Sequence, residues 1–126
     1  MAVRFTEREL DLMRVLWRLG PATVAEVREA LDDEPAYNTV LTMLGVLEEK
    51  GHVTRDTKKR AHRYTAVTSR EAAGVSALDR VTRSFFRGSA EELLLRLVES
   101  RPVDEDELRR LRRLLDERLE DLEGES

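Results

Sequence analysis

The sequence predicts a mostly α chain with one small antiparallel β-hairpin, and three observations predict it. A short polar residue followed three positions later by glutamate recurs at Thr6 and Glu9, Thr23 and Glu26, Thr68 and Glu71, Ser89 and Glu92, and Asp104 and Glu107. Each pair has the form of a capping box, in which the two side chains satisfy backbone N–H groups that the first helical turn leaves unpartnered. Apolar residues then follow each pair at helical spacing. Only between Gly51 and Thr68 does the pattern shorten, to two β-type runs around the basic turn Lys58-Lys59-Arg60.

The elements follow in order. The first helix is expected from about Glu7 to Leu19, with Leu10, Met13, Val15, Leu16, Trp17 and Leu19 as its apolar face and Gly20-Pro21 as its stop. A shorter helix from Val24 to Leu31 turns Val24, Val27 and Leu31 inward, and Asp32 to Pro35 break the chain. The third spans roughly Tyr37 to Lys50 on a stripe of Val40, Met43, Leu44 and Leu47, with Gly51 as its C′ residue. His52 to Arg55 and Ala61 to Val67 pair as the hairpin, with Val53, Tyr64 and Ala66 facing in. After Thr68 every segment reads as helix. Residues 69–87 carry Val75, Leu78, Val81, Phe85 and Phe86, residues 90–100 carry Leu93, Leu94, Leu95, Leu97 and Val98, and residues 104–122 carry a leucine stripe at 108, 111, 115, 119 and 122. Charges four apart, such as Glu105 with Arg109, support the last helix by a few tenths of a kcal/mol each, on the order of 0.3.

Composition narrows the class. At 126 residues the chain is one domain or a small domain with an appendage. Charged residues make up 38% and aromatics 5%, and no run approaches the roughly 20 apolar residues of a membrane span. The opening Met1-Ala2-Val3-Arg4 carries no apolar leader, so a cytoplasmic location is expected. The absence of cysteine removes disulfides and thiolate metal sites. Charge is also uneven: residues 1–69 balance at 11 basic and 11 acidic side chains, whereas residues 70–126 hold 11 basic and 15 acidic. An acidic second half is a poor ligand for nucleic acid, and self-association is its simplest role.

Two short helices, a longer third and a basic hairpin are the order of a winged helix-turn-helix, in which the third helix enters the DNA major groove. Tyr37, Asn38, Thr39 and Thr42 begin that helix. Asn38 suits an adenine edge, Thr39 and Thr42 a thymine methyl or a phosphate, and Tyr37 a phosphate. Helix capping is the competing role for Asn38 and Thr39. From Arg55 to Arg63 five basic side chains face one acid, a local excess of four in a chain of net charge −4. Clustered positive charge attracts a duplex whatever its sequence, so Lys58, Lys59, Arg60, His62 and Arg63 are candidate phosphate contacts. The competing role is a solvated turn that keeps an edge strand from pairing. Domains are thus expected at 1–68, binding double-stranded DNA, and at 69–126, where three helices without a sheet bury their stripes only against a second copy. Phe85, Phe86, Leu108, Leu111 and Leu115 are the candidate homodimer contacts.

The segments ELDLMRVLW, ATVAEVREAL, AYNTVLTMLGVLEEKGHV, RAHRYTAV and FFRGSAEELLLRLVE together resemble the penicillinase-repressor (BlaI/MecI) family of bacterial transcriptional repressors along nearly the whole chain. The block from Tyr37 to Gly51 carries most of the resemblance, with a Thr-Val-x-Thr core and a Leu-x-x-Lys-Gly ending. The resemblance implies a dimeric winged-helix repressor on an inverted repeat near promoters of resistance or stress genes. It places DNA contacts on Asn38, Thr39, Thr42, Arg60 and Arg63. Val46, Glu48 and Glu49 stand where many relatives carry basic residues, which shifts more of the grip to the wing. An inducing protease is an implied partner, one that would have to accept Arg96-Leu97 in place of the Asn-Phe bond cut in the best-known members. Copper sensing through C-terminal cysteines, known in one branch of the family, has no residues here.

Other chemistries find little footing. His52 and His62 stand ten apart and both are expected at the surface, with no partner at metal-ligand spacing. The glycines form no phosphate loop, so no cofactor, no metal site and no enzymatic activity are expected. A winged-helix module that grips an acidic protein through the basic turn is the alternative to a DNA reader.

Overall fold

The computed structural model describes residues 3–125, and Met1-Ala2 of the opening segment lie outside them. The elements are α1 (Glu7–Leu19), α2 (Val24–Ala30), α3 (Tyr37–Glu49), β1 (Val53–Asp56), β2 (Arg63–Ala66), α4 (Arg70–Phe85), α5 (Ala90–Ser100) and α6 (Glu105–Gly124). They fall into two compact units, Met1–Val81 and Thr82–Ser126, divided inside α4. The architecture is therefore mostly α with a single two-stranded antiparallel hairpin.

The capping grammar works at the helix starts with one shift. Thr6 with Glu9 and Thr23 with Glu26 form complete reciprocal boxes. Ser89 and Asp104 each accept the N–H of the residue three positions on. At α4 the cap is Ser69 and not Thr68: Ser69 Oγ accepts the Ala72 N–H at 3.0 Å. Thr68 is otherwise engaged, its carbonyl accepting from Trp17 Nε1 at 2.9 Å and its hydroxyl meeting His52 Nδ1 at 2.8 Å.

In the first unit the stripes of α1, α2 and α3 and the inner face of the hairpin close on one core of Leu12, Met13, Leu16, Val27, Val40, Leu44, Leu47, Val53 and Tyr64, with Leu31 at its margin. The expected face of α1 needs correction at two positions. Leu12 is fully buried, whereas Leu19, in the last turn before Gly20, is exposed. The stripe follows Leu12 and Met13 with Leu16 one turn on, and its N-terminal continuation is Glu9. Trp17 lies at the seam, edge-on to Phe5 and beneath the Arg70 guanidinium.

The hairpin register pairs Val53 with Ala66, Thr54 with Thr65, Arg55 with Tyr64 and Asp56 with Arg63. A third short strand was invisible in the sequence. Ala22, in the link between α1 and α2, exchanges two backbone hydrogen bonds with Tyr64 at 2.8 and 3.0 Å. A single residue supplies that pairing, too short for any periodicity.

The second unit is different in kind. Neither α5 nor α6 buries a single residue, and α4, which runs into this unit, buries none either. Arg87 and Gly88 form the turn after α4, both at positive φ, and the Gly88 N–H closes the helix on the Thr82 carbonyl at 3.0 Å. The expected Glu105 to Arg109 pair is made on α6.

Candidate nucleic-acid interface

The site begins with how α3 is held. Val40, Leu44 and Leu47 fix one side of the helix in the core. At its C-terminus Gly51 takes φ 84°, and the bonds from His52 N–H to Leu47 O and from Gly51 N–H to Glu48 O complete a Schellman closure. Lys50 Nζ donates to Glu9 Oε2 at 2.8 Å, while the other Glu9 oxygen accepts the Thr6 N–H at 2.8 Å. Burial opposes ionisation of Glu9, but the Lys50 ammonium and the Thr6 bonds outweigh it and hold the carboxyl below its ordinary value of 4.5. The beginning of α3 is set by the turn before it. Arg8 grips Asp33 through both carboxylate oxygens, at 2.8 and 3.0 Å, and Arg28 Nε donates to the Pro35 carbonyl at 2.6 Å. Within that turn Glu34 adopts a left-handed φ of 38°.

What this scaffold presents is an open helix end. The N-cap of α3 is Ala36, with no side-chain cap and no acid in the first turn. The competing role of Asn38 and Thr39 as caps is therefore not realised, and both are exposed. Tyr37, at 52% exposure, and Thr42 lie free as well. The sequence reading passed over Leu41, which is 40% exposed beside Thr42. Its signal was available: like Val46, it is an apolar residue of the block that falls off the Val40, Leu44, Leu47 stripe. Unpartnered N–H groups and the positive end of the helix dipole favour negative charge at this end.

The hairpin tip supplies the cations. Asp56 Oδ1 accepts the Lys58 N–H at 2.9 Å, which shapes the turn. Lys58, Lys59 and Arg60 are exposed and make no ion pair among the described residues. His62, expected at the surface, is half-buried. The two arginines in the strands of the hairpin are differently placed. Arg63 Nη1 lies 3.2 Å from Glu26 Oε1 and 3.5 Å from the Pro21 carbonyl, and Arg55 Nε lies 3.5 Å from Glu48 Oε2. His52 is not the surface residue expected. It is half-buried, 4.6 Å from the Phe5 ring and bonded to Thr68, because the Schellman closure delivers it beneath the start of α4.

The candidate dimer residues lie on the second unit. Phe85 is 77% exposed, Leu108 and Leu115 are exposed, and Phe86 and Leu111 are half-buried. No helix of the described residues is long and apolar enough to cross a membrane.

A three-helix core with a basic hairpin, joined by a one-residue third strand, defines a winged-helix protein. The model of the penicillinase repressor family matches residues 5–117. The transcriptional regulator BlaI of Mycobacterium tuberculosis, in strains H37Rv and CDC 1551, is 38% identical over 113 residues, covering 85% of this chain and 81% of the relative. The chain belongs to the penicillinase repressor family. Among solved structures it is similar to the monomeric form of Bacillus licheniformis BlaI in complex with the blaP half-operator, at 24% identity, 57% of this chain, 90% of that one and a TM-score of 0.48. A MarR family protein from Bacillus stearothermophilus shares the fold over 93% of this chain and 77% of its own, at 21% identity and a TM-score of 0.50.

Proposed function

We propose that this DNA-binding transcriptional repressor works as a homodimer on an inverted repeat, in the cytoplasm, with two copies of α3 in successive major grooves about 34 Å apart. Bound across a promoter of resistance or stress genes, it blocks RNA polymerase. The observation that carries the reading is the pairing, on one unit, of an uncapped, acid-free start of α3 with an exposed, unpaired basic hairpin tip.

Roles follow from chemistry. Asn38 offers an amide for an adenine edge, Thr39 and Thr42 methyl and hydroxyl groups, and Leu41 an apolar surface for a thymine methyl. Tyr37 and the open N–H groups of α3 suit phosphates, and Lys58, Lys59, Arg60 and His62 suit the backbone beside the groove. Phe85, Phe86, Leu108, Leu111 and Leu115 join the subunits. No step in this mechanism requires a catalytic group.

Electrophoretic shift against the chain's own upstream region tests the reading. Changing Lys58, Lys59 and Arg60 together to Ala is expected to weaken all duplexes alike, whereas Asn38→Ala or Thr42→Ala relaxes the choice among sequences. If no specific complex forms at moderate salt, the wing instead grips an acidic protein.

A further inference from the structure

The two arginines in the strands of the hairpin are spent inside the molecule. In the register, Arg55 lies on the face shared by Val53, Tyr64 and Ala66, while Arg63, opposite Asp56, lies on the other face. The two cations thus leave the ribbon on opposite sides, and each meets a carboxylate on a different helix: Glu48 of α3 at 3.5 Å and Glu26 of α2 at 3.2 Å. One exposed ion pair is a weak fastening. Two on opposite faces resist rotation of the hairpin in both senses.

The hairpin needs such fastening. A two-stranded ribbon has little stability of its own, and beyond Tyr64 the pairing with Ala22 ends. Reading DNA with α3 and the hairpin tip together requires a fixed angle between them. Glu26 is a firm post, because its Oε1 also accepts the Thr23 N–H at 3.0 Å within the capping box, and Arg63 reaches the Pro21 carbonyl beside it. The bonds from the Thr23 backbone and hydroxyl, with Arg63 nearby, hold the Glu26 carboxyl below its ordinary value.

We infer that Arg55 and Arg63 are positioning residues, which with Glu48 and Glu26 clamp the wing against α3 and α2, and that the wing's phosphate-binding charge is confined to Lys58, Lys59 and Arg60. The inference rests on the reading of the wing as a DNA grip, and it takes Arg63 out of the phosphate contacts that the family resemblance implied. It also gives Glu48, one of the acids that set this recognition helix apart, a purpose.

The contrary assignment has the arginines as phosphate ligands held back by the two acids. It predicts the opposite sign for the same variants, because Glu26→Gln or Glu48→Gln would then release cations to DNA. Glutamine keeps an acceptor for the Thr23 cap, so the Glu26 variant retains its helix start.

The experiment measures binding of the full chain to a duplex it selects from a random pool and to a scrambled duplex, between roughly 50 and 200 mM salt. Three wing cations per subunit, six per dimer, give an expected log–log slope of about −5. Glu26→Gln and Glu48→Gln should each weaken the selected duplex by about threefold, leave the scrambled duplex unchanged and keep the slope. Arg63→Gln should match Glu26→Gln, the two together should be no worse than either alone, and Arg63→Lys should restore binding. Tighter binding by either Gln variant with a slope steepening toward about −7, or a slope about two units shallower in Arg63→Gln, overturns the clamp. A wild-type chain that binds neither duplex overturns instead the DNA reading beneath it.

Discussion

The helices α1, α2 and α3 of the first unit bury apolar stripes in a core, whereas α5 and α6 of the second leave theirs uncovered. In Met1–Val81 the stripes of α1, α2 and α3 meet one another and the hairpin, and Leu12, Val27, Val40, Leu44 and Leu47 lose all contact with solvent. In α5 and α6 no residue is buried, and Leu114, Leu115, Leu119 and Leu122 remain about half exposed. Burial of apolar area is the main favourable term in folding, so a unit that forgoes it within its own chain is incomplete as a monomer. The contrast supports a division of labour. In the proposed function the first region is the reading head, and the second is a surface that a second copy would complete.

The contrast can be broken or sharpened by experiment. The largest effect is expected from Leu44→Ala, which opens the first core and should cost about 2 to 5 kcal/mol in denaturant unfolding; a loss below 1 kcal/mol, on the order of a surface change, would deny that this core is closed. Next, Leu111→Asp combined with Leu115→Asp should yield monomers with operator binding weakened by at least about tenfold. Sedimentation showing an unchanged dimer would refute that placement of the interface. Smaller again is the tie between Glu9 and Lys50. Lys50→Met leaves a carboxylate that is only 5% exposed without its cation, and should lower stability by about 1 to 2 kcal/mol. Because the folded Glu9 titrates below its unfolded value, the tie contributes fully above 4.5 and is lost as pH falls through the lowered value. Wild-type unfolding should therefore steepen in acid below 4.5, and Lys50→Met should flatten that dependence.

Much of the geometry of the candidate site was legible in the sequence, and the reasons are local. The third helix was bounded by Pro35 and Gly51, and its stripe at 40, 43, 44 and 47 left the polar 37, 38, 39 and 42 outside. Where legibility failed, a long-range contact was responsible. His52 looked like a polar surface residue until Phe5 and Thr68 closed on it. Leu19 matched the stripe of α1 but is exposed at the helix end. Arg63 looked like the other cations of the cluster, and the partner that distinguishes it, Glu26, lies 37 positions away.

By itself, the sequence determined what depends on neighbours within about one helical turn: caps, stops, stripes and the basic turn. Only the tertiary structure decided which charges remain available. A cluster of five cations in the chain is three at the hairpin tip and two paired in its strands, because Glu48 and Glu26 come within 3.5 Å of Arg55 and Arg63 only after α2, α3 and the hairpin have packed on one core. Charge per residue is written in the chain, and the partner of each charge is a distance, which only the fold supplies.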